Sequence, residues 1–216
     1  MQIAIALYDR FTALDAIGPY QTLGGIPGAE VVFVAGRTGP VSDDAGQLAL
    51  VAGRTFDEVP HPDIVVVPGG PDQRDQMENE PLLDWLRAVD ATTTWTTSVC
   101  TGSLALAAAG LLTGREATSH WLALEVLDGL GVRSTGQRVV FDGKYVTAAG
   151  VSSGIDMGLA LVGRIAGDER AQSVQLLIEY DPQPPYDAGS PEKAPAHLVE
   201  MWRRETGLAA TAPAGS

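Results

Sequence analysis

The run Asp63-Ile64-Val65-Val66-Val67, closed by Pro68-Gly69-Gly70-Pro71, constrains this chain most. Four successive β-branched residues leave no polar face. A strand apolar on both sides needs cover on both sides, which places it inside a parallel sheet flanked by helices. Parallel neighbours need long crossover connections, and the sequence supplies them. Gln2–Leu7 and Glu30–Val34 read as further strands, Thr92–Val99 as another, and Gly36–Arg54 as hairpin-like pieces. Val139–Phe141 and Tyr145–Thr147 flank Asp142-Gly143, a hairpin signal. Helices are expected at Thr12–Leu23, broken or restarted at Gly18-Pro19, and at Pro81–Val89, Thr101–Leu112, Leu122–Leu130, Ser153–Ala166, Asp168–Tyr180 and His197–Arg204. The proline-rich stretch Asp181–Pro195 reads as an extended surface segment. The alternation predicts one α/β domain with a mostly parallel sheet over residues 1–208, and a fraying tail over 209–216.

Charge and cysteine usage narrow the function. The 216 residues carry a formal net charge of −13, which argues against binding nucleic acid or an anionic membrane. The single cysteine excludes an intrachain disulfide and Cys-x-x-Cys redox pairs. The chain opens without a basic-then-apolar leader, and the apolar run near Leu104–Leu112 is far below the roughly 18 residues needed to cross a bilayer. A cytoplasmic protein is expected. The histidines His61, His120 and His197 lack metal-ligand spacing, so no metal is expected. No phosphate-cradling glycine loop is present, so no nucleotide cofactor is expected either.

One turn carries the strongest chemical signal. In Thr97-Ser98-Val99-Cys100-Thr101-Gly102-Ser103 a strand ends, the cysteine appears, and a helix begins at once. Such a turn pushes the middle side chain out at the sheet edge, as in a nucleophile elbow. The helix start beneath it would favour a thiolate. The alternative is a buried structural cysteine. Gly69 and Gly70 lie at the end of the central strand, where backbone N–H groups can approach a ligand; a plain tight turn is the alternative. Asp15, in an apolar stretch, reads as a helix-terminal or surface residue unless the fold brings it to Cys100. His120 is a candidate to return toward the cysteine, against the plainer reading of a structural histidine. A rival also exists. Gly150-Val151-Ser152-Ser153-Gly154 fits G-x-S-x-G, and Asp181 and His197 follow in the chain order of α/β-hydrolases. Against it, the strand before Ser152 reads as half of a hairpin.

The segments Val65–Gly70, Thr97–Ser103 and Ala108-Ala109-Gly110-Leu111-Leu112 together resemble the ThiJ/PfpI superfamily, of the class I glutamine amidotransferase-like fold. Within it, Leu14-Asp15 with Gly18-Pro19, Ala117–Trp121, Gly154-Ile155-Asp156 and Glu179-Tyr180 leading to Pro184–Pro191 look most like the isocyanide hydratases. The resemblance runs from Ile3 to about Arg204. It implies a flavodoxin-like three-layer α/β/α sandwich, a homodimer, a small-molecule substrate and no cofactor. It implies Cys100 as nucleophile, Asp15 as general acid and base, Thr101 as an orienting residue, and an oxyanion-type pocket at the N–H groups of Gly70 and Thr101. Thr101 stands where PfpI-type proteases have His, which weakens a peptidase reading. Other superfamily members act on glyoxals or glycated groups, or serve as cysteine-based stress and redox sensors. Related domains form the sensor half of AraC-type regulators, for which the chain leaves no room before Ser216.

Overall fold

The computed structural model describes residues 1–206; the tail expected to fray at 209–216 lies outside them. The strands are β1 (Gln2–Ala6), β2 (Glu30–Ala35), β3 (Gly39–Ser42), β4 (Ala49–Ala52), β5 (Arg54–Thr55), β6 (Ile64–Val67), β7 (Trp95–Val99), β8 (Glu116–Ala117), β9 (Arg133–Ser134), β10 (Val139–Asp142) and β11 (Tyr145–Ala148). The helices are α1 (Ala13–Leu23), α2 (Gln73–Met77), α3 (Glu80–Asp90), α4 (Gly102–Ala108), α5 (Leu124–Gly129), α6 (Ser153–Ala166), α7 (Asp168–Leu177) and α8 (Ala196–Glu205).

Seven strands form the main sheet in the order β10-β11-β7-β6-β1-β2-β5. All neighbours are parallel except the hairpin β10–β11. Ile64, Val65, Val66 and Val67 are all 0% exposed, as a two-sided apolar run demands. The hairpin-like region is the antiparallel pair β3–β4, followed by β5 alongside β2.

Several boundaries differ from the sequence reading, each for a local reason. Helix α1 runs through Gly18-Pro19 without restarting. Pro19 lacks the N–H that would bond to the carbonyl of Asp15 four residues earlier, yet both residues are buried and the helix holds. Helix α4 stops at Ala108 rather than Leu112, because Gly110 takes a left-handed φ of 85° and ends it. Helix α7 ends at Leu177 rather than Tyr180, with Glu179 at φ 52°. A short 3₁₀ turn, Trp121–Ala123, precedes α5. The segment 181–195 contains no helix or strand and is mostly exposed.

Candidate active site

Sheet order assembles the site. β11, β7, β6 and β1 are successive parallel neighbours, so the connections leaving their carboxyl ends meet at one edge. Those connections carry Val151, Cys100, Gly69–Gly70 and Asp15 respectively.

Cys100 sits between β7 and α4 with φ at 58°. A non-glycine residue there costs roughly 1–2 kcal/mol, so the surroundings must hold it. Its N–H donates to the carbonyls of Ala148 (3.0 Å) and Ala149 (2.9 Å). Its carbonyl accepts from Ser103 Oγ (3.2 Å) and Ser119 Oγ (3.1 Å). A Cβ on Gly102 would lie 2.1 Å from the Val67 carbonyl oxygen, so only glycine fits the start of α4. The peptide is pinned on both sides, and the sulfur faces the backbone N–H groups of Thr101 and Val151.

The glycine pair holds the site's other side chains. Gly69 N–H donates to Asp15 Oδ2 at 2.9 Å. A Cβ on Gly69 would stand 2.6 Å from Thr101 N and 2.9 Å from Asp15 Oδ2. Gly70 N–H donates to Thr101 Oγ1 at 2.9 Å, and that hydroxyl lies 2.9 Å from the Gly70 carbonyl, to which it donates. The Gly70 N–H is therefore committed to Thr101. The N–H groups aimed at the Cys100 sulfur come from Thr101 and Val151 instead.

Asp15 is 0% exposed. Burial pushes its carboxyl up to about 7, against the Gly69 N–H and the Cys100 thiol, which pull it down. The charge of Asp44 adds to the rise. Oδ1 is buried without a hydrogen-bond partner, and the thiol is near enough that each group shifts the other. Burial, and next the charge of Asp15, push the Cys100 thiol up to about 12. The helix start does not produce a free thiolate, because desolvation and the neighbouring carboxylate outweigh the two N–H groups. Between those limits the pair shares one proton.

Tyr8, Thr12 and Asp44 also belong to the site, and the sequence reading missed them. Tyr8 Oη donates to the Pro68 carbonyl at 2.6 Å, fixing the loop before the glycines. Thr12 N–H donates to the Gly69 carbonyl (2.8 Å), and Thr12 Oγ1 to Asp44 Oδ2 (2.8 Å). Tyr8 and Thr12 directly follow β1, so their place at the carboxyl edge was the available signal. His120 does return to the site. Its Nδ1 accepts from Leu122 N–H at 3.3 Å, which leaves the proton on Nε2. Burial lowers its pKa, which favours the neutral ring. A Cβ on Gly150 would lie 2.7 Å from His120 Cδ2.

A cavity of about 1020 Å³ opens over Cys100 and Thr101, with Gly70, His120, Val151 and Asp44 on its walls. The G-x-S-x-G rival does not assemble. Ser152 is exposed, and its Oγ accepts from Arg138 at 3.2 Å. Asp181 accepts from Gln183. No hydrogen bond among the described residues joins Ser152, Asp181 and His197. The strand before Ser152 is nonetheless both half of a hairpin and a parallel sheet neighbour of β7.

Comparison with known proteins places the chain in a family. The chain is 42% identical over 204 residues to an isonitrile hydratase of Pseudomonas putida, covering 94% of this chain and 89% of that protein. It superimposes on the crystal structure of a ThiJ/PfpI family protein from Pseudomonas syringae with a TM-score of 0.91 at 39% identity, covering 96% of this chain and 88% of that one. It is 30% identical over 189 residues to the transcriptional regulator GbdR of Pseudomonas aeruginosa, covering 83% of this chain and 50% of the regulator. The family model described as DJ-1/PfpI matches residues 1–164 of the 216, and the chain belongs to the DJ-1/PfpI family.

Proposed function

We propose that the protein is an isocyanide hydratase, converting R–N≡C and water to the formamide R–NH–CHO. The observation that carries this reading is the buried Asp15–Cys100 pair, which shares one proton at the floor of an open cavity. Hydration of an isocyanide needs a nucleophile and a proton at the same carbon, and this pair supplies both. The 42% identity to an isonitrile hydratase supports it.

In the first step the sulfur attacks the terminal carbon while the pair's proton passes through Asp15 to that carbon. A C–S and a C–H bond form, giving the thioimidate R–N=CH–S–Cys100, and Asp15 is left as carboxylate. The N–H groups of Thr101 and Val151 stabilise the thiolate as its proton leaves. In the second step Asp15 takes a proton from water, and the hydroxide adds to the thioimidate carbon. Asp15 returns that proton to the nitrogen. The C–S bond then breaks, the sulfur leaves with its electron pair, and the hydroxyl proton restores the shared proton of the pair. Both hydrogens of water are accounted for. Covalent catalysis splits one hard addition into two easier ones. Thr101, fixed by Gly70, orients the incoming groups. The resemblance adds a homodimer to this proposal.

A redox sensor is disfavoured by the same site, since oxidation follows thiolate character and exposure, and Cys100 is 6% exposed with its proton held. The test is formamide production from a simple alkyl isocyanide, followed by infrared loss of the isocyanide band. Stoichiometric turnover supports the reading. Absence of turnover, with sulfinic acid forming readily at Cys100 under mild peroxide, would reject it in favour of the sensor.

A further inference from the structure

The mouth of the cavity is built from elements that the chemistry above does not use. Helix α8 buries none of its own residues, yet Trp202 and Glu205 face the cavity. Trp202 is 50% exposed, so a large apolar surface stands open to solvent at the cavity's edge. The lining also includes Met77 of α2, with Trp121 and Val126. The Arg203 guanidinium lies 6.0 Å from the Trp121 ring centroid, which sets α8 beside Trp121.

Two quantities exceed what an isocyano group requires. At about 30 Å³ of liquid volume per water, a cavity of about 1020 Å³ holds on the order of 30 waters. The reacting group is one carbon and one nitrogen. Part of the wall is apolar, built by Met77, Trp121, Leu122, Val126 and Trp202, and a pocket of this size with such a wall takes ligands with a substantial apolar body. The lining charge is also one-sided. Asp44, Asp72, Asp75 and Glu205 stand against Arg74, and the pairing of Arg10 with Asp72 at 2.8 Å does not reverse that balance.

We infer, on the hydratase reading, that the cavity selects isocyanides whose nitrogen carries a large uncharged apolar group. Trp202 and Trp121 seat that group, and the acidic rim turns away isocyanides bearing a carboxylate. The selectivity resides in the wall, because the isocyano carbon presented to Cys100 is the same in every member of the class. Each well-placed methylene in an apolar pocket is worth about 10-fold or more in kcat/KM.

The experiment compares kcat/KM for methyl, n-butyl and cyclohexylmethyl isocyanide, whose reacting carbons are electronically alike, and for 4-isocyanobutyrate beside its methyl ester. The expected result is a rise of about 10-fold or more from methyl to cyclohexylmethyl. A clear preference for the ester over the acid is expected as well. Trp202→Ala should shrink the cyclohexylmethyl-to-methyl ratio several-fold, mainly through KM, and Trp202→Phe should restore much of it. Equal kcat/KM across the alkyl series, or a ratio unmoved by Trp202→Ala, overturns the apolar wall. Equal use of acid and ester overturns the role of the rim. A second readout does not depend on turnover. Protection of Cys100 from iodoacetamide should be stronger with N-cyclohexylmethylformamide than with N-methylformamide. Failure of every isocyanide to react would sink the hydratase reading alone, and this protection series would still decide the wall.

Discussion

Two turns at the same sheet edge have the same grammar and opposite chemistry. β7 passes through Cys100 into α4, and the adjacent β11 passes through Val151 into α6. Both turns carry a non-glycine residue at positive φ, 58° at Cys100 and 21° at Val151. The first presents a side chain to the cavity. The second presents a backbone N–H to the first turn's sulfur, while the serine beside it points to solvent and to Arg138. A strand–turn–helix unit therefore specifies a place at the edge, and the residue at the strained position decides whether that place holds a nucleophile or a donor.

The largest expected effect breaks the first turn. Cys100→Ala should reduce hydration to background, because the proposed thioimidate forms on its sulfur. The fold should persist, since the Cys100 backbone bonds to Ala148, Ala149, Ser103 and Ser119 do not involve the thiol. Steady-state assay beside circular dichroism reads both. Residual turnover above a few per cent would move the nucleophile elsewhere.

Asp15→Asn separates activity from stability. Proton transfer by a positioned group contributes ~10²–10⁴-fold, and one carboxyl serves both steps, so loss at the upper end is expected. Wild-type turnover should itself fall as pH drops below about 7, where Asp15 becomes fully protonated and cannot take a proton from water. The stability effect has the opposite sign. The folded pKa is raised from 3.8 to about 7, so this group's stabilising contribution is complete below the unfolded value and is lost as pH rises through the folded one. At pH 8 the native protein carries a buried charge costing about 2–4 kcal/mol, and Asn removes it. The variant should melt roughly 4–16 °C higher at pH 8 and close to wild type near pH 4. An unchanged melting temperature at pH 8 would mean that Asp15 is ionised without penalty.

These cases show where sequence is informative. The parallel core was legible because Ile64–Val67 leaves no polar face. Cys100 and Gly69–Gly70 were legible because a strand end, a small residue and a helix start are local signals. Val151 was hidden, because it acts through an N–H that every non-proline residue has, and its address depends on β11 lying beside β7. Asp44 was hidden for a related reason: it reaches the site from the stretch between β3 and β4, through a hydrogen bond from Thr12. Asp15 was visible as an anomaly, but its meeting with Cys100 came only from the resemblance. The short α2, β8 and β9 carry too few residues for periodicity to register. The expected overrun of α4 came from reading Ala and Leu composition past Gly110, which ends the helix.

A smaller effect sharpens the second turn. Gly150→Ala places a methyl 2.7 Å from His120 Cδ2, so the imidazole must swing or the turn must open. The ring is held by the Leu122 N–H at 3.3 Å, which makes swinging costly. A stability loss of about 1–2 kcal/mol is expected. Turnover should drop because either response disturbs the Val151 N–H or the cavity wall. If thermal unfolding and kcat are both unaltered, His120 is not wedged against this turn.

The smallest effect belongs to the serine that the sequence offered as a rival nucleophile. Ser152 is the N-cap of α6, yet its side chain makes no capping bond. Its Oγ accepts only a guanidinium hydrogen bond from Arg138 at 3.2 Å, at an exposed position. Arg138 keeps its ion pair with Asp156 when that bond is lost. Surface changes of this kind stay within about 0.5 kcal/mol. Ser152→Ala should therefore match wild type in melting temperature, in kcat and in the pH at which Cys100 is alkylated, while a serine-directed phosphonate leaves the wild-type enzyme active. Were Ser152→Ala to abolish turnover that survived in Cys100→Ala, the two turns would have exchanged roles, and the donor turn would be the true elbow.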